Sequence, residues 1–387
     1  MLEKRMVSAR LRVLSLLSLS LLLPFSLVCG LAQAEDLIVR LGFSSPLSGP
    51  QAPAGKDSLN GVQMAIERLN QQGIKVDGKV LRFELLIKDD KANPQTGAIV
   101  AKELVDAGVK AVLGPFNSGV ALATSKIYND AGVVSLTVAS NPKVTQPALN
   151  HVFRIAASDS DMGSKMALYA ARTLKLKVVA IVDDGSAYAQ GLIEEFQKTA
   201  RQNGIQIAHK AVISDKATDF GGVLNNIRAA RVDAIFFGGY VPQASAMLKQ
   251  MQQLGMPTLF LGGDALCSSV MLVQAGASVG DRTYCVQGGV WLTRVSDGAV
   301  FASAYQTKYG SMPDVYAPTF YDGVMLLAQA MKSSNSIDTR SFLPVLTRLR
   351  YKGITANYEF DARHDMKEST VTILRFQDGK LTPLSSF

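Results

Sequence analysis

The sequence is poor in the side chains that hold metals or carry out nucleophilic chemistry. Three scattered histidines (His151, His209, His364) and three cysteines in 387 residues leave no Cys/His metal framework. Concentrated charge is missing too. Charged residues make up 19% of the chain and form no Lys/Arg-rich block, so the formal charge of +8 reads as a mildly basic surface. No nucleic-acid partner is expected. There is no G-x-x-x-x-G-K-[ST] phosphate loop, no H-E-x-x-H and no G-x-G-x-x-G after the first strand. These absences speak against catalysis and against a bound cofactor or metal. What the chain does have is apolar residues, 48% of the total, spread over a length that allows sizeable cores and argues against disorder.

The chain opens with a targeting pattern. Lys4, Arg5, Arg10 and Arg12 precede an apolar run from Val13 to Val28, and Ala32-Gln33-Ala34 supplies a small-x-small cleavage site. Residues 1–34 are therefore expected to be a secretory signal peptide. Pro24 interrupts the run and leaves it short for a membrane anchor. Bulky Val28 fits poorly before a lipoprotein cysteine at Cys29. Export would leave Cys267 and Cys285 as a pair in an oxidising compartment. Bridged, they close a short loop worth about 3 kcal/mol; the alternative is two buried thiols.

From Asp36 onward, β-rich runs alternate with helical periodicity. Leu37–Phe43 reads as a strand, and Val62, Ala65, Ile66 and Leu69 repeat at helical spacing. Strands at 80–87, 109–113 and 133–138 alternate with helices after Pro94 and over 120–128. The rhythm restarts after Asn150, with strands at 178–182, 205–213, 234–237 and 258–261. Helices are expected at 192–200, 220–230, 244–254, 265–275, 299–309, 319–331 and 342–349, and strands at 358–360 and 370–376. Such alternation implies parallel sheets covered by helices on both faces, and its repetition implies two α/β lobes. No Pro/Gly/Ser-rich linker separates them, which favours short direct crossovers.

In parallel α/β sheets, ligands sit beyond the carboxyl ends of the strands. Ser118 lies at such an end, where a hydroxyl and free backbone N–H groups suit an anion; as a plain alternative it caps the following helix. Ala139 and Ser140 follow the next strand. In the second half, Tyr188 follows Asp183-Asp184, Tyr240 follows Gly238-Gly239, and Asp264 follows Gly262-Gly263. The tyrosines offer apolar rings with polar tips, and Asp264 suits an ammonium or, alternatively, an ordinary N-cap. Together these residues describe a site for a zwitterion, because a buried charge needs a partner.

The order of Leu37–Phe43, Ser48-Gly49-Pro50, Asp89-Asp90, Asn93-Pro94, Gly114-Pro115 and Asn141-Pro142 resembles the branched-chain amino-acid (leucine/isoleucine/valine) binding proteins of ABC importers, over almost the whole chain from Asp36. The resemblance implies a type I periplasmic binding protein: two doubly wound parallel-sheet lobes joined by three crossovers near Arg154, Val286 and Thr370, closing like a flytrap. Lobe 1 would be 35–153 plus 287–369, and lobe 2 would be 154–286 plus 370–387. It also implies that Ser118, Ala139 and Ser140 hold the ligand's carboxylate end. Tyr240 and Asp264 would hold the ammonium, with Tyr188 and Tyr316 as aromatic walls. Ala54 stands where some members have an aromatic residue over the ligand, which enlarges the pocket. The implied partners are a small amino acid and permease subunits in the inner membrane, served by a monomer in the periplasm. Another small carboxylate or amide, or a sensor role beside a signalling receptor, is the alternative on the same scaffold.

Overall fold

The computed structural model describes residues 36–146 and 149–387. The expected signal peptide, with Cys29, lies outside the described residues.

The chain first builds β1 (Leu37–Ser45), α1 (Ala52–Gln72), β2 (Lys75–Val76), β3 (Lys79–Asp89), α2 (Pro94–Asp106), β4 (Ala111–Leu113), α3 (Ser118–Asp130), β5 (Val134–Thr137) and β6 (Val152–Arg154). These strands form one sheet in the order β2-β3-β1-β4-β5-β6. All its pairings are parallel except β2 with β3. Local chemistry sets the helix starts: Asn93 Oδ1 accepts from Thr96 N at 2.9 Å, with Pro94 at the first helical position.

The second sheet follows. It is laid down by α4 (Asp159–Arg172), β7 (Val178–Asp183), α5 (Ala187–Gln202), β8 (Gln206–Val212), α6 (Gly221–Ala229), β9 (Ala234–Gly238), α7 (Val241–Gln253), β10 (Leu259–Gly262), α8 (Ser269–Ala275) and β11 (Thr283–Gly288). The chain then returns to the first sheet with α9 (Ser296–Tyr309), α10 (Tyr316–Ser334), α11 (Thr339–Arg348) and the short pair β12 (Tyr351–Lys352) and β13 (Asn357–Tyr358). Finally β14 (Val371–Gln377) and β15 (Lys380–Ser386) complete the second sheet, ordered β15-β14-β11-β10-β9-β7-β8. The chain thus crosses between the sheets three times.

Each sheet is buried on both faces. Val39, Leu41 and Phe43 of β1 pack with Val62 and Leu69 of α1 and with Phe320 and Leu327 of α10. In the second sheet, Phe236 and Val286 meet Met162 and Phe196 on one side. Phe237 and Phe260 meet Phe220 and Met247 on the other. Cys267 and Cys285 are bonded, with Cα atoms 5.5 Å apart, which ties the chain after β10 to β11.

Four details differ from the sequence reading. The sheets are mixed: Asp77-Gly78 and Asp378-Gly379 form tight hairpins with positive φ at both residues, and β14 runs antiparallel to β11. The expected helix 265–275 is a 3₁₀ turn at Asp264–Leu266 followed by α8. The expected strand 358–360 reduces to β13 and a single bridge from Phe360 to Met366, since that stretch wraps around the buried Asp322 carboxylate. Helix α4 and strands β2, β6, β12 and β15 were not anticipated.

Candidate functional site

Strands β4 and β5 are neighbours, so the loops at their carboxyl ends meet. Ser135 Oγ donates to Gly114 O at 2.8 Å and Thr137 Oγ1 to Pro115 O at 2.6 Å, stitching the two loops together. Ser118 is the first residue of α3 and not its cap; Asn117 precedes it in extended conformation. The Ser118 hydroxyl is buried and accepts from Asn141 N at 3.4 Å. From below, the fully buried Arg154 guanidinium donates to Ala139 O at 2.7 Å, Asn141 O at 3.0 Å and Thr145 Oγ1 at 2.7 Å. The same group bonds both oxygens of Asp365, at 2.9 and 3.0 Å. Arg154 therefore fixes the 139–141 loop in a way no single-point cation can.

Strands β7, β9 and β10 are likewise adjacent, and their ends carry Tyr188, Tyr240 and Asp264. Tyr188 donates to Asp264 Oδ1 at 2.7 Å. Tyr316, from the start of α10, donates to Asp264 Oδ2 at 2.9 Å. Asp264 is thus no helix cap: α8 is capped by Ser268, whose Oγ accepts from Val270 N at 3.1 Å. Gly263 allows this arrangement, because a Cβ there would lie 2.2 Å from the Tyr188 hydroxyl. The ring of Tyr240 lies 5.2 Å from Tyr188 and 6.4 Å from Phe116, and Phe116 lies 4.7 Å from Tyr316. Four aromatic rings surround one carboxylate. Burial raises the Asp264 carboxyl above its ordinary range, with the two tyrosine hydroxyls opposing the shift.

A second acid completes the cluster. Asp159, at the start of α4, donates its N–H to Ser140 O at 2.8 Å. Its side chain is fully buried, and neither carboxylate oxygen has a hydrogen-bond partner. Burial, reinforced by the Asp264 charge, pushes this carboxyl well above the usual range; Ser140 and Arg154 oppose only part of that. Gly191 makes room for it, since a Cβ would come within 2.6 Å of Asp159 Oδ2.

Between these walls runs a cleft lined by Pro53, Ala54, Phe116, Tyr240, Asp264 and Tyr316, with an open volume of about 30 Å³. Its sides draw on both sheets. Of the residues singled out from sequence, Tyr240, Asp264 and Tyr316 line it and Tyr188 reaches it through Asp264. Ser118, at the start of α3, and Ala139 and Ser140, in the loop after β5, are buried and do not line it. Asp159, Phe116 and Arg154 were not assigned to the site by the sequence reading.

Gly276-Ala277-Ser278-Val279-Gly280 spells a nucleophile elbow, yet it follows α8 and leads into β11, so the required strand-turn-helix is missing. Among the described residues, no group of three or more His, Cys, Asp or Glu is placed to hold a metal.

A family model described as periplasmic binding protein matches residues 38–380. The chain belongs to that family. Leu/Ile/Val-binding protein homolog 3 of Brucella melitensis biotype 1 is 31% identical over 375 residues, covering 93% of this chain and 97% of the relative. The crystal structure of the branched-chain amino acid transporter substrate binding protein LivJ from Streptococcus pneumoniae, in complex with isoleucine, is 27% identical with a TM-score of 0.82, covering 90% of this chain and 99% of LivJ. A solute binding protein of an ABC transporter from R. palustris, in complex with benzoate, shares the fold at 19% identity and a TM-score of 0.81, covering 90% and 96% of the two chains. This periplasmic binding protein is thus a solute-binding component of an ABC transporter and not an enzyme. Among the described residues, no helix is long and apolar enough to cross a membrane.

Proposed function

We propose that this periplasmic binding protein captures an amino acid with an apolar side chain, branched-chain or similar, and hands it to permease subunits in the inner membrane. It does so as a monomer, exported by the signal peptide at 1–34, with lobes at 35–153 plus 287–369 and at 154–286 plus 370–387. The observation that carries this reading is the pair of buried acids, Asp159 and Asp264, neither in an ion pair with a lysine or arginine among the described residues. Buried carboxylates of this kind call for a cation, and the rings of Tyr188, Tyr240, Tyr316 and Phe116 add their negative faces around it.

The other end of the ligand, a carboxylate, meets the Ser118 hydroxyl and the start of α3, where backbone N–H groups favour an anion. Ala139 and Ser140 form the adjoining loop. The apolar side chain packs on Pro53, Ala54, Val241 and Val315. An open volume of about 30 Å³ is too small for an amino acid, so entry requires the walls to part and the lobes to close again behind the ligand. A ligand of about nine heavy atoms supplies at most about 13 kcal/mol, against about 8 kcal/mol for micromolar binding, which leaves room for closure. The Cys267–Cys285 bond fits an oxidising compartment.

A thermal-shift screen of the twenty amino acids and of organic acids, benzoate included, tests this reading. A ligand at a hundredfold excess over its Kd stabilises by about 2.7 kcal/mol. Apolar amino acids are expected to shift the wild type and to lose the effect in Asp264→Ala. Stabilisation by organic acids alone overturns the proposal.

A further inference from the structure

Beside the aromatic cluster, a second contact joins the two sides of the same cleft, which Asp314 and Ser268 help to line. Asp314, in the segment between α9 and α10, is half-buried. Its Oδ2 accepts from Ser268 Oγ at 2.6 Å and its Oδ1 from Ser269 N at 2.9 Å. Ser268 and Ser269 belong to the second-sheet side, directly after Cys267, whose disulfide to Cys285 anchors that turn to β11.

Asp314 is itself held from behind. Asp57 of α1 accepts from Asp314 N at 3.0 Å, from Ala317 N at 2.9 Å and from the Tyr305 hydroxyl at 2.9 Å. One rigid segment, 314–317, thereby presents two groups to the opposite side: the Asp314 carboxylate to Ser268 and Ser269, and the Tyr316 hydroxyl to Asp264. Asp314 and Tyr316 line the same cleft, but Asp314 spends both oxygens on the other wall.

We infer that Asp314 with Ser268 and Ser269 is a closure latch, which sets how tightly any ligand is retained without choosing between ligands. The inference rests on the reading that the lobes part and close around an amino acid. Its physical basis is linkage: contacts unique to the closed form multiply the apparent affinity of every ligand that requires closure by the same factor. Bonds to a charged acceptor are strong enough to matter.

The test compares Asp314→Asn, Ser268→Ala and Ser268→Thr with the wild type, using L-leucine and L-valine as probes. Asp314→Asn and Ser268→Ala are expected to raise Kd by about tenfold or more, by the same factor for both probes, chiefly through faster dissociation. Ser268→Thr, which keeps the hydroxyl, restores binding. Unchanged Kd values overturn the latch, and so does a change in the leucine-to-valine ratio, which would make Asp314 a specificity contact. Amide exchange at Ser269, measured with a saturating probe, is expected to accelerate in Asp314→Asn; equal exchange overturns the latch. If the wild type binds neither probe, the functional reading falls, and the same comparison made with a ligand from the thermal-shift screen decides the latch.

Discussion

Replacing Asp159 with asparagine separates a ligand contact from a structural one, because two opposing energies act on the same carboxyl. In the free protein the group is buried and near the Asp264 charge, and both favour its protonated, neutral form against the opposing pull of Ser140 and Arg154. Asp159→Asn then exchanges one neutral group for another of the same shape. The helix-start position contributes only about 0.3–1 kcal/mol to a charged carboxylate and hardly anything to a neutral one. Stability of the free variant should therefore stay within about 1 kcal/mol of wild type. An ammonium against Asp159 reverses the balance, drawing out the proton and forming a buried charge pair. Removing one member of such a pair costs about 2–5 kcal/mol, a loss of affinity from about thirtyfold to several thousandfold. Calorimetric titration in buffers of different ionisation enthalpy reads both effects: the wild type releases more protons on binding than the variant, and the variant binds weakly. Wild-type affinity in the variant, or a free variant destabilised by several kcal/mol, would refute the reasoning.

Two further outcomes follow from buried charge elsewhere. Arg154→Lys should destabilise the protein by about 3–5 kcal/mol, measured by denaturant unfolding, because an ammonium leaves Asp365 and the 139–141 loop partly unsatisfied. Burial lifts Asp57 to about 7 and Asp90 and Asp322 to about 6, all above their unfolded values. The folded state holds these protons longer than the unfolded chain, so their contribution is complete in acid and is lost as pH rises through 6 to 7. The melting temperature should rise from pH 8 to pH 6, with Asp57 alone contributing about 1 kcal/mol, and Asp57→Asn should flatten the profile. His151 and His364, held below their ordinary range chiefly by burial, act in the opposite direction at still lower pH.

The alternation of strands and helices was legible because buried parallel strands and one-sided helices print two different periods on the sequence. The edges were not. Asp77-Gly78 and Asp378-Gly379 are plain hairpin signals, but the strands they serve, β2 and β15, are short or largely polar, so hydrophobic pattern alone passes over them. Helix α4 was missed for a related reason. Its buried set of Met162, Met166, Ala167 and Ala170 is interrupted by Gly163 and begins with three polar residues. The available signal was Ser158-x-x-Asp161, a capping pattern whose Ser158 Oγ accepts from Asp161 N at 3.3 Å. With the helix unread, Asp159 had no place, whereas Asp264 stood out as the one acid ending an apolar strand.

That omission changes what the cleft selects for. With Asp264 alone, both carboxylate oxygens already serve tyrosine hydroxyls, and a ligand cation would be one more neighbour of a satisfied group. With Asp159 included, the cluster holds a second carboxylate whose oxygens have nothing to bond, and the Arg154 cation behind it is committed to Asp365, Thr145 and two backbone carbonyls. Two neighbouring carboxylates repel when both are charged, and a cation between them turns that repulsion into attraction. A molecule carrying only a carboxylate offers no such gain. It must instead enter with both acids protonated, and its own charge then rests on Ser118 and the start of α3 alone. On the proposed reading, selection for an ammonium is built into the pair of acids, and the apolar walls around Ala54 act on the side chain only after that condition is met.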